Sequence, residues 1–102
     1  MPSPEPNSAV EEVVEEVNNM MKHFYRPLST KEIVACRMLM GTIALKLSKL
    51  ELANEWNARH RTGLFYEILL ERLGRTKRRG GTLDFDGLKA IIKRSYRSAV
   101  SE

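Results

Sequence analysis

Between Ser29 and Ser48 the chain reads STKEIVACRMLMGTIALKLS. Wound as a helix, this stretch spreads Ile33, Val34, Ala35, Cys36, Met38, Leu39, Met40, Ile43, Ala44, Leu45 and Leu47 over most of its circumference. Arg37 and Lys46 interrupt it on nearly opposite sides. A helix that is apolar almost all round has to be buried almost all round. A chain of 102 residues has little material to bury it with. Two arrangements satisfy that demand: the central helix of a bundle, or the seam of a homodimer.

The neighbouring segments supply helices of their own. Ser29 and Glu32 have the spacing of a capping box, so the apolar helix starts near Thr30. Ahead of it, Val10, Val13, Val14, Val17, Met20, Met21 and Phe24 recur at helical steps. They predict one apolar stripe on an acidic helix over about Ala9 to Tyr25. Ser8 with Glu11 is the expected cap, and Pro27 the expected stop. Three prolines among the first seven residues predict a disordered tail over 1–7, leaving 8–102 as a single helical domain.

Leu50 to Arg59 continues in helical register, and HRTG offers a break. The sequence leaves open whether 30–59 is one helix or two. Leu64, Phe65, Ile68, Leu69 and Leu73 mark a further helix, with Gly74 in the position of a C-cap glycine. RTKRRGG then reads as loop, and GRTKRRGGTLDF has the composition of a small hairpin. Asp84 or Asp86 caps a last helix through Leu88, Ile91, Ile92 and Tyr96. With Asp84 as the cap, Leu83 and Leu88 fall at hydrophobic-staple positions. The expectation is an all-α bundle of four to five helices, dimeric, with no internal repeat.

Charge divides the chain. From Met1 to Thr30 five acids face two bases, whereas from Arg59 to Arg79 seven bases face two acids. Such asymmetry fits a polyanionic partner, or front-to-back pairing of subunits. The acidic face Glu11, Glu12, Glu15 and Glu16 is a solvated surface first, and a contact for a basic partner second. No apolar run approaches the roughly 20 residues of a membrane span. The N-terminus lacks the basic and apolar regions of a secretory signal. A cytoplasmic protein is expected.

Catalytic chemistry finds no candidate. His23 and His60 lack metal-ligand partners at helical spacing. Cys36, the one cysteine, sits among apolar neighbours with no base beside it, and reads as a small core residue. Asp84 and Asp86 are explained more simply by capping than as an acid–base pair or a cation site. There is no phosphate-binding glycine loop, no catalytic triad and no zinc spacing. Neither an enzyme nor a cofactor is expected.

Two binding functions remain. In the first, apolar residues of the first two helices form a partner or dimer interface: the first-helix stripe from Val10 to Phe24, together with Met38, Met40, Ile43 and Leu47. The methionines Met20, Met21, Met38 and Met40 suit either a core or an adaptable binding surface. Binding would be helix-in-groove. Its size, its N-terminal tail and its amphipathic helices make the chain similar in layout to the small all-helical antiactivators of bacterial quorum-sensing receptors. That resemblance implies a cytoplasmic homodimer that sequesters a transcription factor.

In the second, LSKLELANEWNARHRTGLFYEILLERLG, residues 47–74, resembles a helix-turn-helix in outline. The resemblance implies a dimeric DNA-binding regulator. Arg59 and Arg61, near the start of its second helix, would face bases. Arg75, Lys77, Arg78 and Arg79 would face phosphates. The tight-turn glycine is replaced by Asn57-Ala58. The greater extent of apolar surface on the first two helices favours the protein-binding function.

Overall fold

The computed structural model describes residues 6–53 and 61–101, with side chains over 9–51 and 61–101. Four helices account for the described residues: α1 (Pro6–Phe24), α2 (Thr30–Ala53), α3 (Arg61–Arg78) and α4 (Phe85–Ser101). No strand occurs among them. The all-α expectation holds, and the small hairpin that the composition of 74–85 allowed does not form.

The first helix begins at Pro6, ahead of the expected cap at Ser8. Proline suits a first helical turn, because its φ is already set and its missing N–H has no partner there. Ser8 lies inside the helix, so it is not the cap. The rest of the expected tail falls outside the described residues. Beyond Phe24 the chain turns at Pro27. There Asn18 Oδ1 accepts the Leu28 N–H at 2.9 Å, which anchors the turn to α1.

The second cap forms as its residues dictate. Ser29 Oγ accepts the Glu32 N–H at 3.2 Å, and Glu32 Oε1 accepts the Ser29 N–H at 3.0 Å. The resulting α2 is a single helix of 24 residues. Residues 54–60, including Trp56 and Arg59, lie outside the described residues.

The end of α3 differs from expectation. The helix runs through Gly74 and stops only after Arg78. Gly80 takes φ 72° and donates to Lys77 O at 3.0 Å, while the Gly81 N–H reaches Thr76 O at 3.2 Å. This is a Schellman cap, with Gly80 as the left-handed residue. Arg75, Lys77 and Arg78 occupy the last turn, where cations complement the helix dipole. The basic run is therefore a helix end rather than a loop.

Asp84 caps α4 by accepting the Gly87 N–H at 2.8 Å. Leu83 and Leu88 are both buried beside it, as a staple requires.

Both α2 and α3 pack against the other three helices, whereas α1 and α4 do not touch. The core lies along that central pair. Val17 and Met21 enter it from α1, Met40 and Leu47 from α2, Phe65, Leu69 and Leu73 from α3, and Leu88 and Ile92 from α4. Each such side chain, fully buried, stabilises the fold by about 1.5–3 kcal/mol before entropy is counted. Among the described residues, Ser95 is the one polar residue that is buried, and its hydroxyl donates to Ile91 O at 2.8 Å.

Candidate functional site

The fold resolves which apolar residues are internal. Val10, Val13, Val14, Val17, Met21, Met40, Ile43 and Leu47 are all buried in the chain's own core. Met20 and Phe24 pack partly against it. Of the expected interface residues, only Met38 is exposed, at 69%. The apolar stripe of α1 is thus consumed by folding, because α2 and α3 lie along it.

The outer side of α2 is different. Val34 and Leu45 are 44% and 58% exposed, in line with Met38. The positions 34, 38, 41, 45 and 48 advance by alternate steps of four and three. That spacing keeps one straight seam along a helix, as in a coiled coil. Gly41 sits in the middle of the seam, and a Cβ built there would meet nothing within 4 Å. Internal packing therefore gives no reason for a glycine, which costs a helix interior about 1 kcal/mol. A backbone approaching closely from outside would give one.

A groove of about 770 Å³ runs beside the seam. Its floor and walls come from Met38, Ala44 and Leu45 of α2, Ala9 and Val10 of α1, and Tyr66 of α3. One end is fixed by Glu51, whose Oε1 accepts both the N–H and the hydroxyl of Thr62, at 2.9 and 3.1 Å. These bonds satisfy donors at the start of α3 and tie it to α2. Burial raises the Tyr66 hydroxyl pKa above its ordinary value. On the flank of the seam nearer α1, Arg37 bridges to Glu11 at 2.9 Å. Glu12, Glu15 and Glu16 are exposed.

The residues expected at nucleic acid are dispersed. Arg61 donates to Ala99 O and Val100 O, at 3.1 and 2.7 Å, and so caps the end of α4. Arg75 pairs with Glu71 at 2.5 Å. Lys77, Arg78 and Arg79 are exposed at the end of α3. The would-be recognition helix is α3, which carries Phe65, Leu69 and Leu73 fully buried. The face it leaves in solvent holds Gly63, Glu67, Glu71 and Arg75. Carboxylates stand where base reading needs donors. The segment 47–53 is the tail of the long α2, not a short first helix.

The remaining candidates have local roles. Cys36 is 1% exposed, and burial pushes its thiol up to about 11. Asp86 pairs with Lys89 at 3.3 Å. His23 is exposed, and His60 lies outside the described residues. Among the described residues, no group of three or more His, Cys, Asp or Glu side chains is placed to hold a metal ion. Nor is any helix there long and apolar enough to cross a membrane.

Sequence reasoning passed over Val34, Gly41 and Leu45 as a unit. Their four-and-three spacing was the available signal, hidden because the core positions of the same helix are equally apolar. The chain matches no protein-family model, no curated protein and no solved structure.

Proposed function

We propose that this protein is a non-catalytic regulatory module whose α2 seam and adjacent groove bind an amphipathic helix of a partner protein. The observation that carries this is the line of exposed Val34, Met38 and Leu45 about the half-buried Gly41, with a groove beside it. From Val34 to Ser48 the seam is about 21 Å long at 1.5 Å per residue, enough for about four turns of a partner helix. Lys31 and Lys49 are exposed on one flank. The complementary partner helix has apolar residues at coiled-coil spacing and acids along one edge. The layout shared with small helical antiactivators extends the proposal to a transcription activator as the partner, held inactive by the complex. A homodimer would use the same seam and compete with that partner.

The test is a stoichiometric complex captured with tagged protein after nuclease treatment, compared with Met38→Glu and Leu45→Glu. Both positions are exposed, so the variants keep the wild-type fold and melting temperature. They should lose the partner by at least about a hundredfold, since a charge at a desolvated seam costs several kcal/mol. A complex that survives both substitutions sinks the proposal. Light scattering of the isolated protein separates self-association from partner binding.

One observation favours DNA binding as the second function: residues 61–101 carry ten bases against four acids. Changing Arg75, Lys77, Arg78 and Arg79 together to alanine should then lower DNA affinity and flatten its salt dependence.

A further inference from the structure

A separate cleft opens between α3 and α4, away from the apolar seam. Its volume is about 470 Å³. Arg72 and Arg75 line it from α3, Arg94 and Arg97 from α4, with Ile91 and Ser98 between them. Four guanidiniums in one cleft repel each other unless something negative lies among them. Arg75 has Glu71 as a partner. Among the described residues, no carboxylate forms an ion pair with Arg72, Arg94 or Arg97.

Arg72 sharpens the point. Its Nη2 donates to Ser98 Oγ at 2.7 Å, but its Nη1 is shut away from solvent with no acceptor among the described residues. Leaving a buried charged donor unsatisfied is costly, and a small turn of this guanidinium toward an acceptor oxygen held in the cleft relieves that cost.

We propose that this cleft is a binding site for a terminal phosphate dianion, either inorganic phosphate or the phosphomonoester of a small metabolite. Several features select that class. The lining cations are all arginines, whose planar forks match phosphate oxygens in pairs. With Arg75 balanced by Glu71, three positive charges remain. A carboxylate offers one negative charge against them, whereas a phosphomonoester offers about −1.5 to −2. A phosphodiester within a duplex carries one charge, and chain on both sides holds it at the rim. Among the described residues, no aromatic side chain lines the cleft to stack a base.

The experiment is a titration of the isotopically labelled full chain with inorganic phosphate, at ionic strength held constant by chloride, followed by nuclear magnetic resonance. Saturable shifts confined to residues 72–76 and 91–98 are expected. Arg94→Gln combined with Arg97→Gln should weaken binding at least about tenfold, the loss of roughly one charge-assisted bond. Both side chains are exposed, so the fold should persist, with an unchanged melting curve as the check. Arg78→Gln combined with Arg79→Gln should bind phosphate as the wild type does. Adenosine monophosphate binding more tightly than phosphate assigns the site to a metabolite, and equal binding assigns it to free phosphate. Shifts that never saturate, or that persist unchanged in the Arg94/Arg97 variant, overturn the proposal. So does a diglutamyl peptide, or a duplex lacking terminal phosphates, that occupies these residues more tightly than phosphate.

Discussion

Arg26 clasps Glu32 through both carboxylate oxygens, at 2.5 and 2.7 Å, across the turn that joins α1 to α2. The same carboxylate accepts the Ser29 N–H of the α2 cap. One side chain thus closes a helix start and holds the preceding turn.

That contact sets a pH dependence. The Arg26 guanidinium, and next the Ser29 backbone N–H, hold the Glu32 carboxyl at about 2, below its ordinary 4.5. A carboxyl lowered on folding adds stability that is complete above its unfolded pKa and lost as pH falls through the folded one. Glu32→Gln should therefore be less stable than wild type at pH 7, with the gap shrinking between pH 4.5 and 2. Arg26 is 44% exposed, so solvent screening keeps the gap small. Urea unfolding at a series of pH values measures it, and coincident curves at pH 7 would contradict the assignment.

Two glycines, one within α3 and one just past its end, should respond in opposite directions. Gly80 holds φ 72°, so Gly80→Ala should cost about 1–2 kcal/mol. Gly74 is within the helix, where alanine is the better former by about 1 kcal/mol. An added Cβ there meets Arg78 Nη1 at 3.3 Å, the mobile end of an exposed side chain. Gly74→Ala should therefore stabilise the protein. Thermal unfolding of the two variants decides which glycine is the cap.

The aspartates of α4 should separate in the same way. Asp84 accepts a backbone N–H at the helix start, so Asp84→Ala should cost about 1 kcal/mol. The Asp86 side chain is 87% exposed in its contact with Lys89. Its replacement by alanine should change stability by less than about 0.5 kcal/mol. Equal losses at both positions in chemical denaturation would remove the cap assignment.

Cys36 should be inert while the protein is folded. Its thiol is buried and held protonated to about 11, so little thiolate exists at neutral pH. An aromatic disulfide reagent at pH 7.5 should release colour only on adding denaturant, at a rate limited by unfolding. Rapid reaction of the native protein would place Cys36 nearer the surface than Leu47 or Met40.

Much of the fold is legible in local sequence. Ser29-x-x-Glu32 opens α2, Pro27 closes the turn before it, and Asp84 with Leu83 and Leu88 opens α4. These devices act within a few residues, so their spacing alone specifies them. The late end of α3 was less legible. Gly74 and Gly80 are equivalent as letters, and only the left-handed backbone at Gly80 distinguishes them.

The sequence by itself determined that the chain is helical and where two of its helices begin, because capping and apolar periodicity are local. It also marked α2 as the helix needing cover on most sides. Tertiary structure decided which sides were covered. Periodicity places Val17, Met40 and Leu45 on faces of their own helices but does not say which neighbour lies against each face. Packing buried Val17 and Met40 and left Leu45 in solvent. The same packing gathered Arg72, Arg94 and Arg97 into one cleft from positions up to 25 residues apart, a convergence that only the contact between α3 and α4 produces.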